Sequence, residues 1–138
     1  MTLDLSKSSQ IAASGMRAQG TRLKIIAENL ANADTVIGAD GFDPYRRKVI
    51  TFKNEIDRAS NASVVKVNPL TYDQSDFRIE YNPTHPKADP DGYVKMPNVN
   101  SLIEVMDMRE AQRSYEANVT MIEGTRSLIQ RTIDLLRS

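Results

Sequence analysis

Apolar residues near the N-terminus recur at the spacing of a helix that packs against another helix. Alternating steps of four and three residues connect nine positions, seven of them apolar: Leu5, Ser9, Ala12, Met16, Gln19, Leu23, Ile26, Leu30 and Ala33. This spacing is typical of a left-handed helix–helix seam. Gly15 and Gly20 each weaken the helix by about 1 kcal/mol and could instead mark close approach of another backbone. The pattern predicts a helix over 1–35 that stops near Asn32–Thr35.

The C-terminal segment repeats this pattern more strongly. Ser101 and Glu104 have the spacing of a capping box, and Pro97 lies just ahead of them. The seam positions are Met108, Gln112, Tyr115, Val119, Ile122, Arg126, Ile129, Ile133 and Leu136, extended backwards by Leu102 and Val105. These features predict a helix over 101–138. The polar seam members either fix the register of a buried seam or simply face water, and both alternatives stay open: Ser9, Gln19, Gln112 and Arg126.

The segment between the two predicted helices has a different character. All six prolines lie between residues 44 and 97, and interior proline breaks helices. Polar and apolar residues alternate from Asp76 to Tyr81, which is typical of a half-buried strand. Short β-branched or aromatic runs, separated by turn signals, predict strands at 48–52, 63–67, 76–81 and 93–95.

Together these elements predict an α+β fold. Long N- and C-terminal helices would pack as an α-helical coiled-coil pair, with a small β-rich domain inserted between them and domain boundaries at 1–35, 36–100 and 101–138. The free energy gained by burying the seam residues is smaller than the entropic cost of ordering two isolated helices. The helix pair is therefore only marginally stable by itself. A second apolar edge indicates that the helices pack with further helices from other copies or partners: Ile25, Met106, Met121, Leu128 and Leu135.

Composition and charge exclude several functional classes. Lys plus Arg number 18 and Asp plus Glu number 18, so the formal net charge is zero, which argues against a dedicated nucleic-acid binder or a polybasic membrane anchor. The absence of cysteine excludes disulfides, thiolate zinc sites and a cysteine nucleophile. No stretch is long and apolar enough for a membrane span or a cleavable secretory signal. We therefore expect no nucleic-acid partner and no direct membrane insertion.

A few polar groups could carry chemistry, and each has a simpler interpretation. His85 with Asp89 and Asp91 could bind a metal, but a proline-stiffened turn is favoured because the full calcium-loop pattern is absent. The basic run Arg46–Lys48 is more typical of a solvated edge or a partner patch than of nucleic-acid contact. One group of acidic residues is best explained as exposed strand charges: Asp73, Asp76 and Glu80. We expect no catalysis, no cofactor and no metal.

Two stretches point to a known family. Residues 12–35, with the core Asn29-Leu-Ala-Asn-Ala33, resemble the N-terminal signature of the rod and hook group of flagellar axial proteins. The run Gly92-Tyr-Val-Lys-Met-Pro-Asn-Val-Asn100 and residues 108–118, which contain Tyr115-Glu-Ala-Asn118, look like the C-terminal signature of a proximal rod member. The matches cover about half of the chain. Asp34 stands where many members have Asn.

The resemblance implies a structural subunit of the bacterial flagellar basal body. In that family the terminal helices pack into a tube of concentric helical layers, which spans the periplasm and transmits torque. It also implies other copies of the chain and neighbouring rod proteins as partners. Export would occur through the flagellar type III export apparatus, without a cleaved signal peptide. Another axial subunit of the family, a needle or rod subunit of a related type III secretion system and a generic coiled-coil adaptor are the alternatives.

Self-assembly would then depend on the two seams and the loop after the first helix. Asn29, Asn32 and Asp34 are expected to cap backbone groups at the helix end and to contact neighbours. Tyr115, Glu116 and Asn118 are expected to face an adjacent subunit or the N-terminal helix. The other expected interface residues lie along the seams: Met16, Leu23, Ile26, Leu30, Met108, Val119, Ile122, Ile129, Ile133 and Leu136.

Overall fold

The computed structural model describes residues 2–38 and 41–138 of the 138-residue chain. Helix α1 (Thr2–Ala31) comes first and helix α2 (Ser101–Arg137) last. Between them the described residues form six short strands: β1 (Lys48–Val49), β2 (Phe52–Asp57), β3 (Ala62–Val67), β4 (Thr71–Tyr72), β5 (Arg78–Tyr81) and β6 (Tyr93–Met96). The predicted α+β fold is confirmed. Met1 of the predicted first helix, and Ala39 and Asp40 of the predicted inserted domain, lie outside the described residues.

The strands pair as three separate antiparallel ladders in the described part of the chain: β1 with β4, β2 with β3, and β5 with β6. The predicted strand 48–52 is interrupted at Ile50 and Thr51, so that β1 and β2 belong to different ladders. The sequence analysis did not predict β4, which has only two residues and no alternating pattern.

The predicted burial of the strand 76–81 is wrong. Strand β5 begins at Arg78, and every one of its side chains is exposed. The alternation is found instead on its partner β6, where Val94 and Met96 are buried. Strand β5 lies at the edge of a two-stranded ladder and is paired only with β6 among the described strands, so its apolar side chains have no layer to cover them.

The start of α2 uses a different cap from the predicted one. The side-chain Oδ1 of Asn100 accepts hydrogen bonds from the backbone N–H groups of Leu102 at 3.1 Å and Ile103 at 3.3 Å. The carbonyl of Asn100 also accepts the first helical hydrogen bond, from the N–H of Glu104 at 3.0 Å. Asn100 is therefore the N-cap, in place of the predicted Ser101. Glu104 then follows the N-cap by four residues, one too many for the predicted capping box, and its carboxylate binds Arg47 instead.

The described residues fall into two compact units. The first unit contains the described residues of Met1–Leu23, Thr51–Asn68 and Arg109–Ser138, and the second contains Lys24–Ile50 and Pro69–Met108, apart from Ala39 and Asp40. Each long helix contributes residues to both units. The predicted domain boundaries stay a prediction.

The core of the first unit consists of small side chains: Ala12, Ser14 and Ala18 on α1, Ala62 and Val64 on β3, and Ala111 and Thr125 on α2. The β2–β3 hairpin is attached to α1 by polar contacts. The Ser14 hydroxyl accepts a hydrogen bond from the N–H of Val65 at 3.0 Å and donates one to the carbonyl of Ile11 at 2.7 Å. Gln10 donates to the carboxylate of Asp57 at 2.7 Å.

The core of the second unit contains larger groups. Its largest fully buried side chains are Asn29, Val94, Pro97 and Glu104. Two of these four are polar, and each polar one has partners inside the unit. The second unit is therefore organised by buried hydrogen bonds and ion pairs as well as by apolar packing.

Candidate assembly interface

Helices α1 and α2 approach each other closely within the first unit. A Cβ atom on Gly15 would lie 3.0 Å from Nδ2 of Asn118, and one on Gly20 would lie 4.0 Å from the ring of Tyr115. Arg22 forms an ion pair with Glu110 at 3.7 Å. Residue numbers rise along α1 as they fall along α2, so the two helices are antiparallel here. Gly15 permits the closest approach because it has no side chain.

The contact line on α2 lies one residue away from the predicted seam. Ala111 and Thr125 are buried, and Asn118, midway between them, packs on Gly15. Gln112 and Arg126, which were predicted seam positions, are exposed. In the single chain these two residues face water. Small side chains take the buried positions on this line, and an apolar repeat gives little signal for small residues.

Gln19 and Ser9, the polar seam members on α1, are partly covered. Both residues are half-buried. The Oε1 atom of Gln19 is fully buried and has no hydrogen-bond partner among the described residues. A buried amide oxygen without a donor is energetically costly, so Gln19 does not favour the observed register.

The remaining predicted interface residues differ widely in burial. Ile26 and Asn29 are buried. Half-buried residues are Met16, Leu23, Leu30, Asn32, Met108, Asn118, Val119, Ile122 and Ile129. Exposed residues are Asp34, Tyr115, Glu116, Ile133 and Leu136. The apolar residues in this last group have surface available for a neighbouring molecule.

Asn29 binds strand β1 of its own chain. Its Oδ1 accepts hydrogen bonds from the N–H of Lys48 at 3.0 Å and from the hydroxyl of Tyr45 at 2.8 Å. Its Nδ2 donates to the carbonyl of Lys48 at 2.9 Å. The amide thus pairs with the backbone of Lys48 as a neighbouring strand would.

Asn32 caps the end of α1: its Nδ2 donates to the carbonyl of Glu28 at 2.8 Å. Asp34 instead forms an ion pair with Arg78 at 3.5 Å.

Arg47 is the centre of a cluster of acidic side chains. Its Nε donates to the buried carboxylate of Glu104, and its guanidinium also lies 3.5 Å from a carboxylate oxygen of Asp73 and 3.7 Å from one of Asp107. Its backbone N–H donates to Oδ1 of Asn98 at 2.8 Å.

We call Tyr45, Arg47 and Lys48, together with Asn29 and Glu104, the clasp. It connects the last turns of α1 to the first turns of α2 inside the second unit.

The basic run 46–48 is therefore neither a solvated edge nor a partner patch. Arg46 donates to the carbonyl of Asp73 at 2.9 Å and lies over the ring of Phe77, 4.3 Å from its centre. Lys48 forms an ion pair with Glu28 at 3.0 Å. All three cations bind groups within the second unit. Sequence reasoning missed this because the partners of Arg47 lie far away along the chain, Glu104 being 57 residues distant.

These contacts shift the pKa values of Arg47, Lys48 and Glu28. Burial lowers the pKa of Arg47, but the hydrogen bond that Arg47 donates to Glu104 and the charges of Glu104, Asp73 and Asp107 outweigh this effect, so the pKa is raised from its usual value. The hydrogen bond with Lys48 lowers the pKa of Glu28, and the same bond raises the pKa of Lys48. One oxygen of Glu104, Oε2, is buried with no hydrogen-bond partner among the described residues.

The residues considered for metal binding belong to turns. Nδ1 of His85 accepts a hydrogen bond from the N–H of Lys87 at 3.0 Å, and Oδ1 of Asp89 accepts one from the N–H of Tyr93 at 2.8 Å. Within 2–38 and 41–138, no three His, Asp or Glu side chains come together as a metal-binding group. Neither long helix, over its described residues, is sufficiently long and apolar to cross a membrane.

Comparison with known proteins identifies relatives along nearly the whole chain. Residues 10–36 match the family described as flagella basal body rod protein, and residues 91–135 match the family described as flagellar basal body rod FlgEFG protein C-terminal. The chain is 54% identical to the flagellar basal-body rod protein FlgC of Agrobacterium fabrum, across 97% of this chain and 96% of that one. It is 40% identical to FlgC of Salmonella typhimurium (91% and 92% covered) and 35% identical to FlgC of Bacillus subtilis (91% and 93%).

Proposed function

Because the chain belongs to the FlgC family of flagellar basal-body rod proteins, we propose that its two long helices are the parts that join it to other rod subunits. The protein is a structural component of the basal-body rod, and it assembles there with other rod proteins. We place it in the proximal part of the rod, where the shaft spans the periplasm and transmits torque. Its partners are further copies of itself and neighbouring rod proteins, and it performs no catalysis.

The uneven burial of side chains is the observation that carries this proposal. The buried residues of the first unit are small, whereas large apolar residues of α2 stay exposed: Met121, Leu128, Ile133, Leu135 and Leu136. Full burial of one such side chain stabilises by about 1.5–3 kcal/mol. Contacts with neighbouring subunits would supply this burial, and the isolated helix pair does not.

The same property suits passage through a narrow export channel. A helix pair that buries mainly Ala, Ser and Thr is weakly held and can become ordered when subunits meet. We propose that the chain leaves the cytoplasm through the flagellar type III export apparatus, with an uncleaved N-terminal signal. Ordering of the helices would then be coupled to assembly of the rod.

Two substitutions in the half-buried seam test assembly through the helices. Leu23→Asp and Ile122→Asp each place a carboxylate in an apolar contact, which costs several kcal/mol if the charge is kept. We expect both variants to be synthesised normally, as measured by immunoblot, but to be absent from purified basal bodies and to abolish swimming in soft agar. Thr21→Asp and Gln112→Asp are the matched controls on exposed positions of the same helices. Normal swimming of both seam variants would refute the proposal.

A further inference from the structure

Helix α2 carries two apolar surfaces on either side of its contact line with α1. The first, which we call the Met stripe, consists of Met121, Leu128 and Leu135 at intervals of seven residues, all more than half exposed. The second, the Tyr edge, contains two exposed residues, Tyr115 and Ile133, and two half-buried ones, Val119 and Ile122. It also carries one exposed cation, Arg126, seven residues after Val119 and seven before Ile133. Met121 and Ile122 are the third and fourth residues after Asn118, so they lie on opposite sides of the contact line.

The Met stripe contains holes as well as projecting side chains. Ala117 and Gly124 stand between its larger members, and a Cβ atom on Gly124 would meet no atom within 4 Å. Ala117, Met121, Gly124, Leu128 and Arg131 line a shallow groove with a volume of about 490 Å³. A helix seated here could insert large side chains beside Gly124 and cover Met121 and Leu128.

We propose that the Met stripe of one copy packs against the Tyr edge of the next copy, so that α2 joins identical subunits side by side. This inference rests on the proposed function and names the surfaces through which it operates. The occupant is a second copy because the same helix supplies both surfaces. A contact between two different surfaces leaves one of each exposed for the next subunit, and such a contact can propagate.

Pairing of one Met stripe with another would behave differently. A contact between like surfaces closes into a two-fold dimer and propagates no further. It would also leave both Tyr edges exposed. The packing of unlike surfaces covers the apolar side chains of both.

One pair of charges at the margins of the two surfaces is complementary. Arg131 lies in the groove beside the Met stripe, and Glu123, one turn after Val119, lies beside the Tyr edge on the side away from α1. Both side chains are exposed. When the Met stripe of one copy packs against the Tyr edge of the next with the two α2 helices parallel, the margins that lie away from α1 meet. Arg131 of one copy and Glu123 of the next then lie on the same side of the contact. The chain has no net charge to oppose association of identical copies.

Cysteine cross-linking inside intact basal bodies tests the pairing directly, since the chain has no cysteine of its own. Leu128→Cys on the Met stripe would be combined with Tyr115→Cys, Val119→Cys or Ile133→Cys on the Tyr edge. After oxidation we expect at least one double variant to give a ladder of disulfide-linked chains, while each single variant stays monomeric. Leu128→Cys with Arg109→Cys, at an exposed position on the side of α2 opposite its contact line with α1, is the matched control and should give no ladder.

Other results would overturn the pairing. Dimers from Leu128→Cys alone would indicate contact between like surfaces. Failure of every double variant to cross-link, with the variant chains present in basal bodies, would exclude contact between copies through these surfaces. Absence of the unchanged chain from purified basal bodies would overturn the proposed function itself, and with it this inference.

A charge exchange provides a second readout. Arg131→Glu should reduce incorporation into basal bodies about tenfold, because an attraction becomes a repulsion. Combining it with Glu123→Arg restores opposite charges and should restore incorporation. No improvement of the double variant over the single one would count against the proposed alignment of the two surfaces.

Discussion

Asn29 illustrates how much one polar side chain organises in this molecule. It is buried, and both ends of its amide bind the backbone of Lys48. Its oxygen accepts a further hydrogen bond from the hydroxyl of Tyr45. An aliphatic residue of similar size would fill the space but would leave two backbone groups and a hydroxyl without partners. Asn29 is thus an internal organising residue of the second unit, although the sequence suggested contact with neighbouring molecules.

Asn29→Leu should consequently destabilise the protein strongly. Each buried polar group left without a partner costs about 1–3 kcal/mol, so a loss of at least this size is expected in the free energy of unfolding. Urea denaturation followed by far-ultraviolet circular dichroism would measure it. Asn54→Leu, at an exposed position of β2, is the control and should change stability little. A variant at position 29 as stable as the unchanged protein would show that the hydrogen bonds with Lys48 are dispensable.

The ion pair between Arg47 and Glu104 has a similar role. Glu104 comes from the first turn of α2, and its burial is tolerable because Arg47 binds one of its oxygens. Glu28 pairs with Lys48 on the other side of the clasp. Residues from both helices are therefore tied to one short segment, 45–48.

At the level of whole elements, the two long helices meet through small residues. Gly15 faces Asn118, and Ala111 and Thr125 occupy the adjoining turns. A contact made of such small residues buries little apolar area. The large apolar residues of α2 are displaced to both sides of the contact, where they form the Met stripe and the Tyr edge. The packing within one chain thus creates the surfaces available for packing between chains.

Three glycines on these helices should respond differently to alanine. Replacing an exposed helical glycine by alanine stabilises a helix by about 1 kcal/mol, and Gly20 and Gly124 have room for a Cβ atom. In the isolated chain, Gly20→Ala and Gly124→Ala should therefore raise helix content, measured by circular dichroism. Gly15→Ala should not, because its Cβ atom would lie 3.0 Å from Asn118. Adding Asn118→Ala should recover the gain, and a stabilising Gly15→Ala alone would contradict the close approach.

On the scale of the whole molecule, the two units differ in how they are held together. The second unit buries Asn29, Val94, Pro97 and Glu104 completely, and its charged and amide groups are extensively bonded. The first unit buries mainly alanine and residues of similar size. Burial of large groups and satisfied polar networks raise the free energy of local opening. The second unit should be the more stable part of the isolated chain.

Hydrogen exchange of the full-length monomer, followed by mass spectrometry, would test this difference. Backbone amides in 25–31, 45–49 and 102–108 should exchange more slowly than those in 109–137. Disruption of the clasp by Glu104→Ala should speed exchange in the first group, whereas Glu123→Ala, on an exposed position, should not. Equal protection throughout α2 would mean that the small-residue contact is as strong as the clasp.

Several features of this protein follow from local pattern. The long helices could be predicted because apolar periodicity and the distribution of proline are properties of neighbouring residues. Three of the four predicted strand regions correspond to observed strands to within two residues at each end. The family resemblance likewise rests on short motifs, such as Asn29-Leu-Ala-Asn-Ala33, that can be read without a structure.

Only the tertiary structure decides which side of α2 meets α1 and what the basic run binds. Periodicity marks the large apolar residues, but the contact line passes through Ala111, Asn118 and Thr125, whose small or polar side chains contribute little to an apolar pattern. Glu104, which binds Arg47, lies 57 residues from it along the chain, and Lys48, which binds Asn29, lies 19 residues from it. Such pairings depend on where folded segments meet in space, and spacing along the sequence carries no signal for them.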